Sequence, residues 1–190
     1  MANPIPQGTH TIVPHLVVNG GNQAIDFYQR AFGARVRTNM PGPDGRSVMH
    51  AEMEIGDSRL YLADEFPGMG GKSPLSLNGS PVTIHLWFDN VDAAFARAVA
   101  AGARITMPLA DMFWGDRYGM LVDPFGHAWA MATHKEDLTP EEMGRRGAAF
   151  FASMPPAPKP KKRAKRAKKA ARKLKPKAKR KAKRKAKRRL

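Results

Sequence analysis

The pattern of apolar and polar positions along the chain occurs twice. Residues 11–36 and 81–105 each open with alternating positions around a His-Leu pair, continue with a helical stripe of apolar residues, and reach a Gly-Ala-Arg sequence. Alternation is typical of a half-buried strand, and the stripe is typical of an amphipathic helix. His15 and His85 occupy matching places 70 residues apart. The sequence therefore predicts two copies of one unit, which are too few for a solenoid.

The rest of each copy predicts three more strands, so each is interpreted as a βαβββ module and the fold class as α+β. Gly33 follows the first helical stripe as a C-terminal capping glycine would, and Gly56-Asp57 is typical of a hairpin turn. The modules span about 10–64 and 81–134. The predicted strands lie near 11–18, 34–39, 47–55 and 58–63 in the first module and near 103–108, 116–122 and 128–133 in the second, which has its helix near 91–101.

Two further segments complete the domain. Residues 65–80 join the modules and are rich in Gly, Ser and Pro. A connection this long is usually either functional or disordered, so we expect a lid, a dimer contact or a flexible loop. Residues 139–142 form the capping box Thr-Pro-Glu-Glu, which predicts a C-terminal helix at about 140–152.

Charge is concentrated at the C-terminal end of the chain. The formal net charge is +17, yet residues 159–190 hold 21 of the 33 Lys and Arg and no Asp or Glu. The preceding residues therefore carry a net charge of −4. Dense like charge with almost nothing apolar to bury is typical of a disordered segment that binds polyanions. We expect a folded domain at 1–154 and a disordered Lys/Arg/Ala/Pro tail at 155–190.

The tail is predicted to bind DNA or RNA without sequence preference and with strong salt dependence, because it offers cations but no aromatic or structured base-reading element. The alternatives are that the tail binds an acidic membrane or that it has no selected role. Its composition resembles the C-terminal arms of linker-histone-like and bacterial histone-like proteins. The predicted nucleic-acid-binding residues are Lys161, Lys162, Arg163, Lys165, Arg166, Lys168, Lys169, Lys179, Arg180, Lys183, Arg184, Lys187 and Arg188.

The chain has no cysteine, which excludes disulfides, thiolate metal sites and cysteine nucleophiles. Residues 1–20 lack the pattern of a signal peptide, and no apolar run approaches the length of a membrane span. We therefore expect a soluble cytoplasmic protein that associates with the nucleoid through its tail.

Strand alternation sorts the side chains of the predicted sheets into two faces. Ile12, Leu16 and Val18 would pack on the helix together with Val82 and its alternate neighbours in the second module. Two symmetry-related imidazoles on the opposite face could bracket a ligand, with a carboxylate beside them as a base. The alternative is that each is an ordinary hydrogen-bonded sheet residue. The predicted catalytic residues are His15, Glu52 and His85, and His50, Tyr61 and Thr83 are predicted to line the same face.

Nine motifs along residues 10–149 resemble the vicinal oxygen chelate superfamily of glyoxalase, bleomycin-resistance and extradiol-dioxygenase proteins, in particular its PhnB-like branch. The resemblance implies paired modules that form a half-open barrel around a cavity, commonly within a homodimer. The nine motifs are Pro14-His-Leu-Val-Val18, Ile25-Asp-Phe-Tyr28, Met40-Pro-Gly-Pro-Asp-Gly45, Met49-His-Ala-Glu52, Ala63-Asp-Glu-Phe-Pro67, Ser80-Pro-Val-Thr-Ile-His85, Trp114-Gly-Asp-Arg117, Asp123-Pro-Phe-Gly-His127 and Ala132-Thr-His-Lys-Glu-Asp137.

The resemblance supports the fold of this chain more strongly than it supports a metal site. The enzymatic branches hold a divalent metal with His or Glu on the first and fourth strands of each module, where it acts as a Lewis acid. None of the matching residues here is a good ligand for such a metal. We therefore predict no metal and no other cofactor; a displaced divalent site at His15, Glu52 and His85 is the alternative. The four matching positions hold Val13, Tyr61, Thr83 and Ala130.

A cavity in such a fold would have other anchors for a ligand. Trp87, Trp114 and Tyr118 could stack on a planar molecule, whereas Trp129 is at least as well explained as a core residue. Asp116 and Arg117 could hold a polar group or could pair with each other on a loop.

These observations predict a small-molecule-binding protein of the glyoxalase/bleomycin-resistance type whose tail binds nucleic acid. One alternative is a metal-dependent lyase, isomerase or dioxygenase of the same superfamily. The other is an architectural nucleoid protein whose domain only dimerises and so pairs two tails.

Overall fold

Two four-stranded mixed sheets, one from each half of the sequence, form the framework of the computed structural model, which describes residues 3–155. The predicted tail residues from 156 onward lie outside the described part. In chain order the elements are β1 (His15–Val18), α1 (Gly21–Phe32), β2 (Arg35–Pro41), β3 (Val48–Ile55), β4 (Ser58–Asp64), α2 (Pro74–Leu77), β5 (Thr83–Trp87), α3 (Val91–Ala101), β6 (Arg104–Asp111), β7 (Asp116–Val122), β8 (Ala128–His134) and α4 (Pro140–Ser153).

Both sheets have the same topology. The strand orders are β1-β4-β3-β2 and β5-β8-β7-β6, and in each sheet the first strand pairs in parallel with the fourth while the other neighbours are antiparallel. This confirms the α+β class predicted from the duplicated pattern. The half-open barrel implied by the resemblance stays a prediction. Within residues 3–155, no helix has the length and apolar character needed to span a membrane.

Backbone hydrogen bonds to one carboxylate fix the start of α1. Asp64, at the end of β4, accepts hydrogen bonds from the backbone N–H groups of Gly20, Gly21 and Val48 at 2.7–2.9 Å. A side chain at position 21 would place its Cβ 2.7 Å from both Asp64 and Val48, so this close approach requires glycine. The helix ends at Gly33, which adopts a left-handed φ of 69° as predicted.

The core is shared by the two modules, and a buried carboxylate lies at its centre. Asp123 Oδ2 accepts hydrogen bonds from Tyr28 Oη and Trp129 Nε1, both at 2.8 Å, so it links a helix of the first module to a strand of the second. Its Oδ1 accepts from the backbone N–H groups of Phe125 and His127 at 2.9 Å. Burial and then the charge of Asp123 raise the pKa of Tyr28 well above its ordinary value, so the phenol stays a donor. Trp129 is completely buried and is therefore a core residue.

Two predicted core residues are exposed instead. Ile12 is 84% exposed and Val82 is 63% exposed, whereas Leu16 and Val18 are buried as predicted. The reason is that β1 begins only at His15 and β5 only at Thr83, so the residues before them are not held against the sheet. The predicted strand from residue 11 was therefore too long at its N-terminal end.

The connection between the modules folds back onto its own domain. Glu65 accepts hydrogen bonds from the N–H and Oγ of Ser73 and from the Oγ of Ser76, which fixes the short helix α2. A Cβ at position 71 would lie 3.0 Å from Val17, and one at position 126 would lie 2.9 Å from Pro74. The connection thus packs against β1 and against the turn before β8.

Candidate ligand-binding site

The edge strands β1 and β5 face a common cavity of about 600 Å³, which we call the seam cavity. Both His15 and His85 line it, together with Thr83 at the start of β5. The exposed apolar residues Ile12 and Val82 form part of its wall. The structure therefore brings the two symmetry-related imidazoles to one hollow, as the alternation of strand residues predicts.

A second cavity of about 530 Å³ adjoins the first. It shares Ile12, Pro14, Ile84 and His85 with the seam cavity and extends along β5 to Trp87.

The connection between the modules closes one side of the seam cavity. Lys72, Pro74 and Leu77 line it, and they belong to α2 and the residue just before its cap. Sequence reasoning treated the whole segment as a lid, a dimer contact or a loop and singled out none of these side chains. A single lysine in a Gly- and Ser-rich segment carries no periodic signal that could have found it.

On the first sheet, three predicted residues form a group of rings. The ring centroid of His15 lies 5.9 Å from that of His50 and 6.2 Å from that of Tyr61. The ring centroids of His50 and Tyr61 are 5.1 Å apart. Strand register explains the group, because His15 pairs with Tyr61 across β1 and β4. Burial, and next the neighbouring His50, lower the pKa of His15 below its ordinary value.

Glu52 follows the predicted face of its strand but is committed to another partner. Its Oε2 accepts a hydrogen bond from Arg59 Nη1 at 2.8 Å, and its Oε1 lies 3.6 Å from His50 Nε2. Glu52 and Arg59 line a separate polar hollow, and Glu52 does not line the seam cavity. Alternation gives the face of a side chain but not its hydrogen-bond partner, so the predicted base beside His15 and His85 is not brought to them.

On the second sheet, four predicted residues form a continuous row of rings, which we call the aromatic strip: His85, Trp87, Trp114 and Tyr118. The His85 centroid lies 4.6 Å from Trp87 and 5.8 Å from Tyr118, and Tyr118 lies 5.5 Å from Trp114. Trp87 is 59% exposed, so its ring is available to a ligand. Burial lowers the pKa of His85, and the charge of Asp116 partly opposes that shift.

Asp116 and Arg117, predicted as possible holders of a polar ligand group, have other partners in the fold. Arg117 donates to Asp92 at 2.7 Å and to Asp111 at 3.1 Å, and these hydrogen bonds raise its pKa. Asp116 Oδ1 lies 2.7 Å from Nδ1 of His134, whose Nε2 lies 3.1 Å from Asp137. Asp116 and Arg117 therefore tie strands and loops together instead of facing the seam cavity.

His127 is a cavity residue that sequence reasoning missed. It is largely buried, and its Nε2 lies 3.2 Å from the carbonyl oxygen of Val17, to which only an N–H can donate. Burial is the main cause that lowers its pKa. Its place after the turn Asp123-Pro-Phe-Gly was visible in the sequence, but nothing there indicated that the ring reaches across to β1.

Comparison with known proteins agrees with the duplicated fold. The sequence model of the Glyoxalase/Bleomycin resistance protein/Dioxygenase superfamily matches residues 9–131. The chain belongs to this superfamily. The uncharacterized protein Rv0887c of Mycobacterium tuberculosis is 47% identical over 133 residues, which are 68% of this chain and 78% of that protein.

Solved structures of the superfamily fold are similar as well. TioX from Micromonospora sp. ML1 is 28% identical with a TM-score of 0.53, over 66% of this chain and 98% of TioX. TnmS3 from Streptomyces sp. CB03234, described as an antibiotic binding protein, is 25% identical with a TM-score of 0.50, over 67% of this chain and 97% of TnmS3.

The metal of the superfamily's enzymatic branches does not fit the side chains of this chain. The matching positions are Val13, Tyr61, Thr83 and Ala130, and none of these side chains is a good ligand for a divalent ion. Within residues 3–155, no three His, Asp or Glu side chains lie close enough together to hold a metal ion. The displaced set of His15, Glu52 and His85 is thus not gathered: Glu52 is on β3, two strands away from β1, and its carboxylate accepts a hydrogen bond from Arg59.

Proposed function

We propose that the protein binds a small, largely apolar organic molecule in the seam cavity. One observation carries the proposal: Ile12, Leu77 and Val82 are 84%, 57% and 63% exposed, and all three line that cavity. Exposed apolar side chains gathered around a hollow are typical of ligand sites, whose volumes are commonly about 300–1,000 Å³. The antibiotic-binding description of TnmS3 supports the same class of function.

Binding without turnover is the function that the polar groups favour. The carboxylate predicted as a base, Glu52, is ion-paired with Arg59, and the superfamily's metal positions hold no good ligands. The imidazoles of His15 and His85 can still orient a ligand by hydrogen bonds. The alternative of a metal-dependent lyase, isomerase or dioxygenase lacks side chains of this kind in the described residues. Within the superfamily we assign the chain to the PhnB-like branch, on the motifs quoted above.

The test is a fluorescence titration of the full-length protein with the neutral apolar probe N-phenyl-1-naphthylamine. Thr83→Trp would fill the seam cavity and is expected to weaken binding by at least about tenfold. The matched control is Thr106→Trp, at an exposed position of β6 that lines none of the described cavities. Absence of probe binding by the unmodified protein, or equal weakening by both variants, would contradict the proposal.

We also propose that the C-terminal tail binds nucleic acid, so that the protein associates with the nucleoid. The support is the charge distribution: 21 Lys and Arg with no acidic residue at 159–190, against a net charge of −4 before it. The test compares DNA retention of the full chain with that of residues 1–154, since residues 1–152 form a compact unit by themselves. If about ten phosphates are contacted, affinity should fall about a thousandfold or more between about 50 and about 200 mM salt. Equal retention of both proteins at low salt would refute this role.

A homodimer is the third part of the proposal. All seven residues of β2, which is an edge strand, are exposed, and they include the apolar residues Val36 and Met40. An exposed edge strand with apolar side chains favours pairing with another chain. Superfamily members commonly form homodimers, so a second copy is the partner that we propose.

A further inference from the structure

The titratable side chains that line the seam cavity are all basic. They are His15, Lys72, His85 and His127, and no Asp or Glu of the described residues lies among them. The remaining wall is mostly apolar. We propose that the ligand is an organic anion, with an apolar body between β1 and β5 and a single carboxylate or phenolate group held by Lys72 and the two imidazoles. This inference rests on the proposed small-molecule function and specifies its ligand class.

Lys72 is available to a ligand because the neighbouring carboxylate of Glu65 already accepts three hydrogen bonds on its other oxygen, Oε2. Glu65 accepts hydrogen bonds from Ser73 N–H at 2.9 Å, Ser73 Oγ at 2.8 Å and Ser76 Oγ at 2.6 Å. These bonds hold the pKa of Glu65 at about 2. Lys72 Nζ lies 3.8 Å from Glu65 Oε1, beyond hydrogen-bond distance, and its side chain is 63% exposed. The ammonium group can therefore turn to an anion in the cavity while Glu65 keeps its three hydrogen bonds at Oε2.

Within residues 3–155, no carboxylate forms an ion pair with either cavity imidazole on the sheets, and the histidine ion pairs involve His50 and His134 instead. His15 faces His50 and Tyr61, and the carboxylate in the same row of the sheet, Glu52, is held by Arg59.

His85 faces Tyr118 and feels the charge of Asp116, which is held by His134. Burial lowers the pKa of both His15 and His85, so each is neutral near neutral pH in the free protein. A bound anion would supply the missing charge and favour the imidazolium forms. Anion binding should therefore take up protons.

His127 has a different role from the other two histidines. Its Nε2–H donates to the carbonyl oxygen of Val17, and burial lowers its pKa although the charge of Asp123 opposes that shift. His15, His85 and Lys72 are therefore the groups that meet the anion.

The experiment displaces N-phenyl-1-naphthylamine from the full-length protein with 2-naphthoate or with 2-naphthamide, two competitors of the same shape that differ in charge. The tail is present in every sample, and an anion bound to the tail does not displace a neutral probe from the cavity. We expect 2-naphthoate to displace the probe at a concentration about fivefold lower than the amide at about pH 6. The preference should shrink as the pH rises to about 8, because the imidazoles then stay neutral.

Variants assign the preference to the cavity groups. Lys72→Gln and the double variant His15→Gln/His85→Gln should each reduce the preference for the acid, measured as the ratio of the amide and acid concentrations that displace half of the probe. The matched controls are Lys135→Gln and His10→Gln, which lie outside the cavity and should keep the preference.

Each result decides between the two proposals. If the probe binds and the amide competes as well as the acid, the anion inference is wrong and the proposed binding function stands. Loss of the acid preference in the control variants would also overturn it. If the probe does not bind at all, both proposals fail.

Discussion

Asp123 joins the two modules through one buried carboxylate. Four donors meet its two oxygens, of which Tyr28 and Trp129 belong to different modules. Hydrogen bonds to a buried charged acceptor are stronger than those between neutral groups, and a donor left without its acceptor loses more than the bond was worth. This residue therefore ties α1 of the first module to β8 and its preceding turn in the second.

We predict that Asp123→Asn lowers the free energy of unfolding by about 2–3 kcal/mol. The amide keeps the shape of the side chain but presents an N–H group to donors on one side. Urea unfolding followed by tryptophan fluorescence measures the change, with Asp89→Asn on the surface as the matched control. Equal stability of the two variants would show that the buried carboxylate does not join the modules.

The seam residues show what the sequence could predict at the scale of single side chains. Alternation placed His15 and His85 correctly, because a strand turns each second side chain to the same face. It could not find that Glu52 pairs with Arg59, since that pair depends on the register between β3 and β4. It also missed Lys72 and His127, which reach the cavity through tertiary packing alone.

At the scale of elements, the C-terminal helix α4 is anchored to the second module by several different contacts. The backbone N–H groups of Lys135 and Glu136 both donate to the carbonyl of Gly115. Arg146 in α4 pairs with Glu136 at 3.0 Å, and Gly147 packs on Phe113. His134, between Asp116 and Asp137, lies where β8 leads into this segment.

The pair of carboxylates around His134 predicts a pH dependence. Hydrogen bonds to Asp116 and then to Asp137 raise the pKa of His134 above its ordinary value. A raised histidine pKa adds stability that is complete below the unfolded-state pKa and is lost as the pH rises through the folded-state pKa. From about pH 6 to about pH 8, the unmodified protein should thus lose more of its melting temperature than His134→Gln does. Thermal unfolding of both proteins across that range measures the difference, and parallel curves would contradict the prediction.

The boundaries of helices and strands were predictable where a residue within the sequence signal ends the element. They were not predictable where pairing with a distant strand or side chain sets the boundary. Gly33 and Gly102 both take left-handed φ values and end their helices where the sequence predicts. The start of β1 was misplaced because alternation continues to Ile12 while pairing with β4 begins at His15. Helix α2 was missed, since a four-residue helix has no periodicity and depends on the hydrogen bonds that Glu65 accepts.

The whole molecule combines a mildly acidic domain with a strongly basic C-terminal segment, and oligomerisation would connect their functions. A chain that binds DNA through one tail releases it whenever that tail dissociates. A dimer holds a second tail near the DNA at high effective concentration, which raises the overall affinity without any new contact. The proposed pairing through β2 therefore has a consequence for DNA binding that can be measured.

We predict that Val36→Glu combined with Met40→Glu, on the exposed edge strand β2, converts the proposed dimer to a monomer and weakens the proposed DNA binding by at least about tenfold, although the tail is unchanged. Sedimentation velocity gives the oligomeric state, and fluorescence anisotropy with labelled DNA at fixed salt gives the affinity. Ala96→Glu combined with Val99→Glu, on the exposed side of α3, adds the same two charges and should change neither. Two added carboxylates could weaken DNA binding by repulsion alone. The test that needs no added charge is to measure how the DNA affinity of the unmodified protein depends on protein concentration. The affinity of the unmodified protein should fall towards that of the variant on dilution below its dimer dissociation constant, and a constant difference at all concentrations would count against avidity.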